Sequence, residues 1–110
     1  MHSILISGAA QGIGAATAML FYQHGYKVGI YDINTAQAEQ LAQQLGEHAK
    51  AGFLDVADYA SWETALSEFS AWAGKINILV NNAGILYSGP FEETDITAHY
   101  RTLDINVKES

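Results

Sequence analysis

Short runs of apolar residues recur along the chain at a regular interval of about two dozen positions. The runs cover residues 4–6, 28–31, 52–54 and 76–80. Within each run the apolar residues are nearly continuous, whereas a strand with one face in water alternates apolar and polar positions. Continuous runs are typical of parallel strands that helices cover on both faces. The pattern therefore predicts four buried strands.

Helix-length segments with a 3.6-residue apolar period separate these runs. The second segment begins at Asn34, a good N-cap residue, and ends at Gly46. The third ends at Gly74, and a fourth begins near Thr94 or Asp95. Strands and helices that alternate four times indicate a βαβ series with right-handed crossovers in one domain. The apolar stripe of the third segment consists of Trp62, Ala65, Leu66, Phe69, Trp72 and Ala73.

Composition narrows the class of protein. The chain has 110 residues, of which 49% are apolar, and these values fit a globular domain rather than a disordered segment. A formal net charge of −7 argues against nucleic-acid and anionic-membrane partners. No run approaches the ~20 residues of a membrane span, and the first strand begins too early to follow a signal peptide. With no cysteine and no metal-ligand spacing among the histidines, we expect a cytoplasmic protein without a metal site.

The segment 7–14 connects the first strand to the first helix and contains Gly8, Gly12 and Gly14. Because glycine has no Cβ, the backbone can pass close to a bulky anion there. The N–H groups at the start of the helix then point at that anion, and the helix dipole favours its negative charge. The segment is therefore a candidate cradle for a pyrophosphate group, with Gln11 and Ile13 between its glycines.

Asp32 ends the second strand, 18 residues after Gly14. A carboxylate at this place can accept hydrogen bonds from both hydroxyls of an adenosine ribose, and it would repel a 2′-phosphate. No arginine or lysine follows, since Ile33 is the next residue and Gln11 occupies the middle of the glycine loop. NAD is therefore favoured over NADP. The alternative is that Asp32 only begins a turn with Asn34.

Four motifs resemble those of the short-chain dehydrogenase/reductase family. The segment 7–14, Ser-Gly-x-x-x-Gly-Ile-Gly, resembles the family signature Thr-Gly-x-x-x-Gly-x-Gly, with serine in place of threonine. The segments 55–56 (Asp-Val), 81–84 (Asn-Asn-Ala-Gly) and 104–107 (Asp-Ile-Asn-Val) resemble three further family motifs in the right order. The resemblance covers the whole chain and implies a Rossmann-like α/β fold that binds a dinucleotide.

The resemblance also implies roles for individual residues. Asp55 can hydrogen-bond the adenine edge while Val56 packs against the ring, although a lone carboxylate in a loop more often is solvated or caps a helix. The Asn-Asn-Ala-Gly turn ends a strand and leaves room for a ribose. Asn106 corresponds to the family's asparagine that holds a water in a proton relay. The predicted cofactor-binding residues are Gly8, Gln11, Gly12, Ile13, Gly14, Asp32, Ile33, Asp55, Val56, Asn82, Ala83 and Gly84.

The chain departs from the family pattern at the catalytic acid. The family uses a serine and a Tyr-x-x-x-Lys pair, yet none of the six tyrosines here has a lysine four residues later. We therefore predict that residues 1–110 are the NAD-binding Rossmann domain of an NAD-dependent oxidoreductase, truncated before that segment. The full-length protein would act on an alcohol or ketone, and the 110 residues alone would be inactive. The alternative is a non-catalytic nucleotide-binding or interaction module.

The predicted architecture is a partial doubly wound sheet with strand order 3-2-1-4 and helices on both faces. In that order the fourth strand, residues 77–80, has no neighbour on one side. Unpaired backbone groups at a sheet edge are a template for pairing with another chain. We therefore expect self-association through this edge or through the fourth helix. Residues 87–91, which contain Pro90, are predicted to be a loop.

Overall fold

The computed structural model describes residues 1–81 and 84–91, which form one five-stranded sheet with three helices. The strand order is β3-β2-β1-β4-β5, in which β1 to β4 are parallel and β5 is antiparallel to β4. The predicted order 3-2-1-4 is confirmed, while the fourth helix lies outside the described residues. The elements are β1 Ser3–Ser7, α1 Gly12–Gln23, β2 Lys27–Asp32, α2 Thr35–Leu45, β3 Ala49–Phe53, α3 Tyr59–Ala73, β4 Ile76–Asn81 and β5 Gly84–Phe91.

Side chains of the central strands alternate between two apolar layers, one on each face of the sheet. Ile4 and Ile6 of β1 belong to the layer under α1 and α2, whereas Leu5 belongs to the layer under α3. All three are essentially buried. Burial on both faces explains why the strands appear in the sequence as continuous apolar runs rather than as alternating ones.

Two glycines of the sheet make room for aromatic rings beneath α3. A Cβ on Gly29 would lie 2.7 Å from Cε1 of Phe69, and one on Gly52 would lie 2.2 Å from Cε2 of Tyr31. The Tyr31 and Phe69 rings meet edge to face, with 6.1 Å between their centroids. The Tyr31 hydroxyl donates to Oε1 of Glu68 at 2.8 Å. Burial, together with this hydrogen bond and the charge of Glu68, raises the pKa of Tyr31, so the phenol stays neutral.

Local signals set the ends of two of the helices. The side chain of Asn34 accepts a hydrogen bond from the backbone N–H three residues later, and the side chain of Asp58 caps α3 by accepting one from the N–H two residues later. The helices end at Gly46 and Gly74, as predicted, and both glycines have a positive φ. By contrast, the N-cap residue of α1, Gln11, makes no side-chain capping bond. The start of α1 is therefore different from the starts of α2 and α3.

The prediction that β4 has an open edge is wrong. In the structure β5 pairs with β4 from Asn81 opposite Gly84 to Ile76 opposite Phe91. The segment around Pro90, predicted to be a loop, is part of this strand. The physical reason is that the N–H and C=O groups of a strand need partners, and the chain returns after two residues to supply them. Proline fits because β5 is the outer strand on this side of the sheet among the described residues.

We expect Gly29→Ala to lower the free energy of unfolding by about 1–3 kcal/mol, because the new methyl group must displace the Phe69 ring. Phe69→Leu removes most of that ring. The double variant should therefore lose less stability than the sum of the two single losses. Urea denaturation followed by tryptophan fluorescence measures all three variants, and strictly additive losses would contradict this packing.

Candidate functional site

The glycine loop between β1 and α1 lies at the carboxyl edge of the parallel strands. Gly8 and Gly12 have φ angles of +66° and +63°, in the left-handed region that favours glycine. A Cβ on Gly14 would lie 2.2 Å from the carbonyl oxygen of Gly8, so the helix packs directly on the loop backbone. A Cβ on Gly12 would meet nothing within 4 Å. The loop is thus tightly folded on its inner side and open on its outer side.

The first turn of α1 is available to a negatively charged group. Its N-cap residue Gln11 has extended backbone and makes no side-chain cap, and the first turn contains no acidic residue. The first N–H groups of a helix have no partner within the helix. With the positive end of the helix dipole behind them, they favour an anion. This arrangement and the open outer side of the loop fit the pyrophosphate group that the sequence predicts.

The Asp32 carboxylate joins the glycine loop to the end of β2. Its Oδ2 accepts a hydrogen bond from the backbone N–H of Ala10 at 3.0 Å, and its Oδ1 accepts one from the N–H of Asn34 at 3.0 Å. The turn with Asn34, given above as the alternative to ribose binding, is therefore present. Each carboxylate oxygen has a second lone pair, so Asp32 can still accept hydroxyl groups. The two roles are compatible.

The residues that follow β3 also make hydrogen bonds within the protein. Oδ1 of Asp55 accepts a hydrogen bond from the N–H of Ala57 at 3.1 Å, and the N–H of Asp55 donates to Oγ of Ser61 at 2.9 Å. The indole Nε1 of Trp62 donates to the carbonyl oxygen of Val56 at 2.9 Å. Asp55 therefore forms a turn within the loop that precedes α3 and is not the N-cap of that helix, and the side chain of Val56 stays exposed.

Serine–asparagine pairs connect β1 to β4 at both ends. At the carboxyl edge the hydroxyl of buried Ser7 donates to Oδ1 of Asn81 at 2.6 Å. At the opposite edge the backbone N–H of Ser3 donates to Oδ1 of buried Asn77 at 2.9 Å. The first pair links the glycine motif to the Asn-Asn-Ala-Gly motif, a contact that sequence reasoning did not identify. The sequence feature that could have revealed this contact is a small hydroxyl residue at the end of one strand and an amide residue at the end of the neighbouring strand.

Exposed apolar side chains collect at the carboxyl edge of the sheet. Ile13 is 80% exposed, Ile33 61%, Phe53 52% and Val56 44%. Three of them are cofactor contacts predicted from the sequence, and Phe53 is not among the predicted residues. Such a group of apolar side chains in water often marks a binding surface.

Part of the predicted site lies outside the described residues. Asn82, Ala83 and Asn106 are in this part of the chain. Gly84 is described, and it begins β5 opposite Asn81. In residues 1–81 and 84–91, no three histidine, aspartate or glutamate side chains come together as metal ligands. Within the same ranges, no helix is long and apolar enough to span a membrane.

Comparison with protein families gives one match across almost the whole chain. The sequence model described as short chain dehydrogenase matches residues 2–109. The match includes the glycine loop, Asp32 and the segments that follow β3 and β4.

Curated relatives are similar over 94% of the chain. The D-threitol dehydrogenase of Mycolicibacterium smegmatis is 43% identical over 106 residues. The galactitol 2-dehydrogenase of Agrobacterium fabrum is 41% identical over 104 residues, and the 3-beta-hydroxysteroid dehydrogenase of Comamonas testosteroni is 38% identical over 104. In each case the chain spans 41% of the length of the relative.

Solved structures share the fold. A 3-ketoacyl-(acyl-carrier-protein) reductase from Brucella melitensis, complexed with NADH, is 35% identical with a TM-score of 0.70. The match covers 71% of this chain and 32% of that one. A hydroxysteroid dehydrogenase from Escherichia coli is also 35% identical with a TM-score of 0.70, over 76% of this chain and 35% of that one.

Two glycine variants test the geometry of the loop. Gly14→Ala should cost about 3 kcal/mol of unfolding free energy, because its Cβ would collide with backbone atoms that cannot rotate away. Gly12→Ala meets open space and should cost only about 1 kcal/mol, from its positive φ. Thermal or urea denaturation of both variants gives the comparison. Equal losses would show that the helix does not pack on the loop as described.

Ser7→Ala tests the connection between β1 and β4. It removes the hydrogen bond to Asn81 and should lower the free energy of unfolding by about 1–2 kcal/mol. Ser7→Thr is the matched control, since it keeps the hydroxyl group and should retain more of the stability. If both variants lost the same amount in urea denaturation, the hydrogen bond would have no measurable role.

Proposed function

The chain belongs to the short-chain dehydrogenase family, and we propose that it is the NAD-binding part of an oxidoreductase that acts on an alcohol or ketone. The observation that carries this proposal is the uncapped start of α1 beside the fixed Asp32 carboxylate. Because the chain spans about two fifths of the length of its curated relatives, the reaction is proposed for the whole protein.

The pyrophosphate of NAD would bind at the glycine loop. The N–H groups of Gly12, Ile13 and Gly14 begin α1, and the open space at Gly12 leaves room for a phosphate group beside the backbone. The helix dipole favours the negative charge of the phosphates. Gly8, with its positive φ, folds the loop beneath them.

The adenosine ribose would bind to the Asp32 carboxylate, which favours NAD over NADP. Its hydroxyls can donate to the free lone pairs of the carboxylate, whereas a 2′-phosphate would meet a like charge. In the described part of the chain, Lys27, Lys50 and Lys75 lie towards the amino ends of β2, β3 and β4. Lys27 also lies over the Trp72 ring at 5.4 Å. A 2′-phosphate would need an ammonium group at the carboxyl ends of the strands, and none of these three lysines lies there.

The adenine would lie between the segments that follow β2 and β3. Ile33 and Val56 offer exposed apolar side chains there, and Asp55 offers a carboxylate for the edge of the base. The family resemblance extends the cofactor site to Asn82, Ala83 and Gly84, and it gives Asn106 the role of holding a water in the proton relay. These assignments remain proposals.

NAD, when bound, supplies the hydride acceptor, and the chain's own residues bind and orient it. The named relatives include dehydrogenases of polyols and hydroxysteroids, which supports an alcohol or ketone as the substrate class. None of the six tyrosines has a lysine four residues later, so we expect these 110 residues to bind the cofactor without turnover. The second candidate is a nucleotide-binding or interaction module without catalysis. A cytoplasmic location stays an expectation.

We expect calorimetric titration to show tighter binding of NAD than of NADP. Asp32→Asn should lower the ratio of the two affinities about tenfold, because removing ~1.4 kcal/mol of like-charge repulsion corresponds to that factor. ADP-ribose should bind about as tightly as NAD, since the described residues would contact the adenosine and pyrophosphate groups.

Glu47→Gln is the matched control for this titration. It removes the same charge from an exposed side chain near the amino end of β3, away from the glycine loop, and should leave the ratio unchanged. Preference of the unmodified chain for NADP would contradict the proposed role of Asp32. Oxidation of alcohols by the 110 residues with NAD would contradict the expected lack of turnover.

A further inference from the structure

We infer that Phe53 is a further contact for the cofactor and that its ring packs against the adenine base of NAD. This inference rests on the proposed function, because it names one more residue of the same site. No motif in the sequence points to Phe53, and the fold does not use its side chain in either buried layer of the sheet.

The register of the sheet places Phe53 beside the ribose carboxylate. Phe53 ends β3 and is the direct partner of Asp32, which ends β2. The backbone N–H of Leu54 donates to the carbonyl oxygen of Asp32 at 3.2 Å, so the two strand ends are held together. Neighbouring strands lie about 4.8 Å apart, which is well within the length of an adenosine group.

The alternation of side chains places Phe53 and Asp32 on the same face of the sheet. Gly52 faces the Tyr31 ring, and Leu54 belongs to the buried layer under α3. Phe53 lies between these two residues and therefore points to the other face, as Asp32 does because it follows Tyr31. On that face the Asp32 carboxylate contacts the glycine loop. By this alternation the side chain of Phe53 is directed to the side where the cofactor would bind, and Phe53 also borders a groove lined by Ser61 and Thr64 of α3.

The order of the strands identifies the base rather than the nicotinamide as the group near Phe53. The glycine loop follows β1, Asp32 ends β2, and Phe53 ends β3, which is the next strand outward. A dinucleotide that places its pyrophosphate at the loop and its ribose at Asp32 therefore brings adenine towards β3. The nicotinamide would extend in the other direction, towards β4.

Because the Phe53 ring is partly exposed to water, covering it with the adenine base would be favourable. Its side chain is 52% exposed, and it is aromatic, unlike the other large apolar residues exposed at this edge, Ile13, Ile33 and Val56. A planar base can cover such a ring, and base–aromatic stacking is favourable in water. The wall for the base would then consist of Phe53 with Ile33 and Val56.

The test compares binding of ADP-ribose with binding of inorganic pyrophosphate by calorimetry. Phe53→Ala and Phe53→Leu should each weaken binding of ADP-ribose about tenfold, because both remove the ring. Phe53→Tyr keeps the ring and should bind as the unmodified chain does. Pyrophosphate contains no base, so its affinity should be the same for all four proteins.

Leu20→Ala is the matched control, since Leu20 is also 52% exposed but lies near the far end of α1. It should leave ADP-ribose affinity unchanged, and urea denaturation should give similar unfolding free energies for Phe53→Leu and the unmodified chain. If the unmodified chain binds ADP-ribose and the Phe53 variants bind it equally well, this inference is wrong while the proposed function stands. If the unmodified chain does not bind ADP-ribose, both are wrong.

Discussion

The carboxylate of Asp32 holds the end of β2 against the glycine loop, and the geometry of the candidate site depends on this contact. Its two oxygens accept the N–H groups of Ala10 and Asn34, one on each side of the strand end. The carboxylate is therefore fixed before any ligand arrives. A group that is already ordered loses little conformational entropy on binding. Folding and recognition thus use the same side chain, through different lone pairs.

The topology of the sheet explains why the described residues of the candidate site lie at one edge. The chain passes from β1 outward to β2 and β3 and then crosses to β4 on the other side of β1. Open α/β sheets bind ligands outside the carboxyl ends of the strands at such a reversal, and the glycine loop after β1 lies there. The Ser7–Asn81 hydrogen bond joins the two strands at this reversal.

Local and repeating features of the sequence predicted most of the fold. Asn34 caps the start of α2 and Gly74 the end of α3 through contacts with residues close by in the sequence. The apolar stripe that contains Phe69 follows the helical period. The hydrogen bond from Ala10 to Asp32 and the exposure of Phe53 could not be predicted in this way. They depend on which strands are neighbours and in which register, and residues far apart in the chain decide both. The error at β5 has the same origin, since the partner of β4 was a question of long-range pairing.

The pairing of β5 has a consequence for the behaviour of the chain at high concentration. A regular edge strand has evenly spaced, unpaired N–H and C=O groups, which can form hydrogen bonds with a strand of another copy. Repeated pairing of this kind produces insoluble fibres. β5 departs from this regularity, because its ladder with β4 shifts register in two places and Pro90 offers no N–H. Within the described residues β5 is the outer strand on this side, and these two features disfavour its pairing with another copy of the chain.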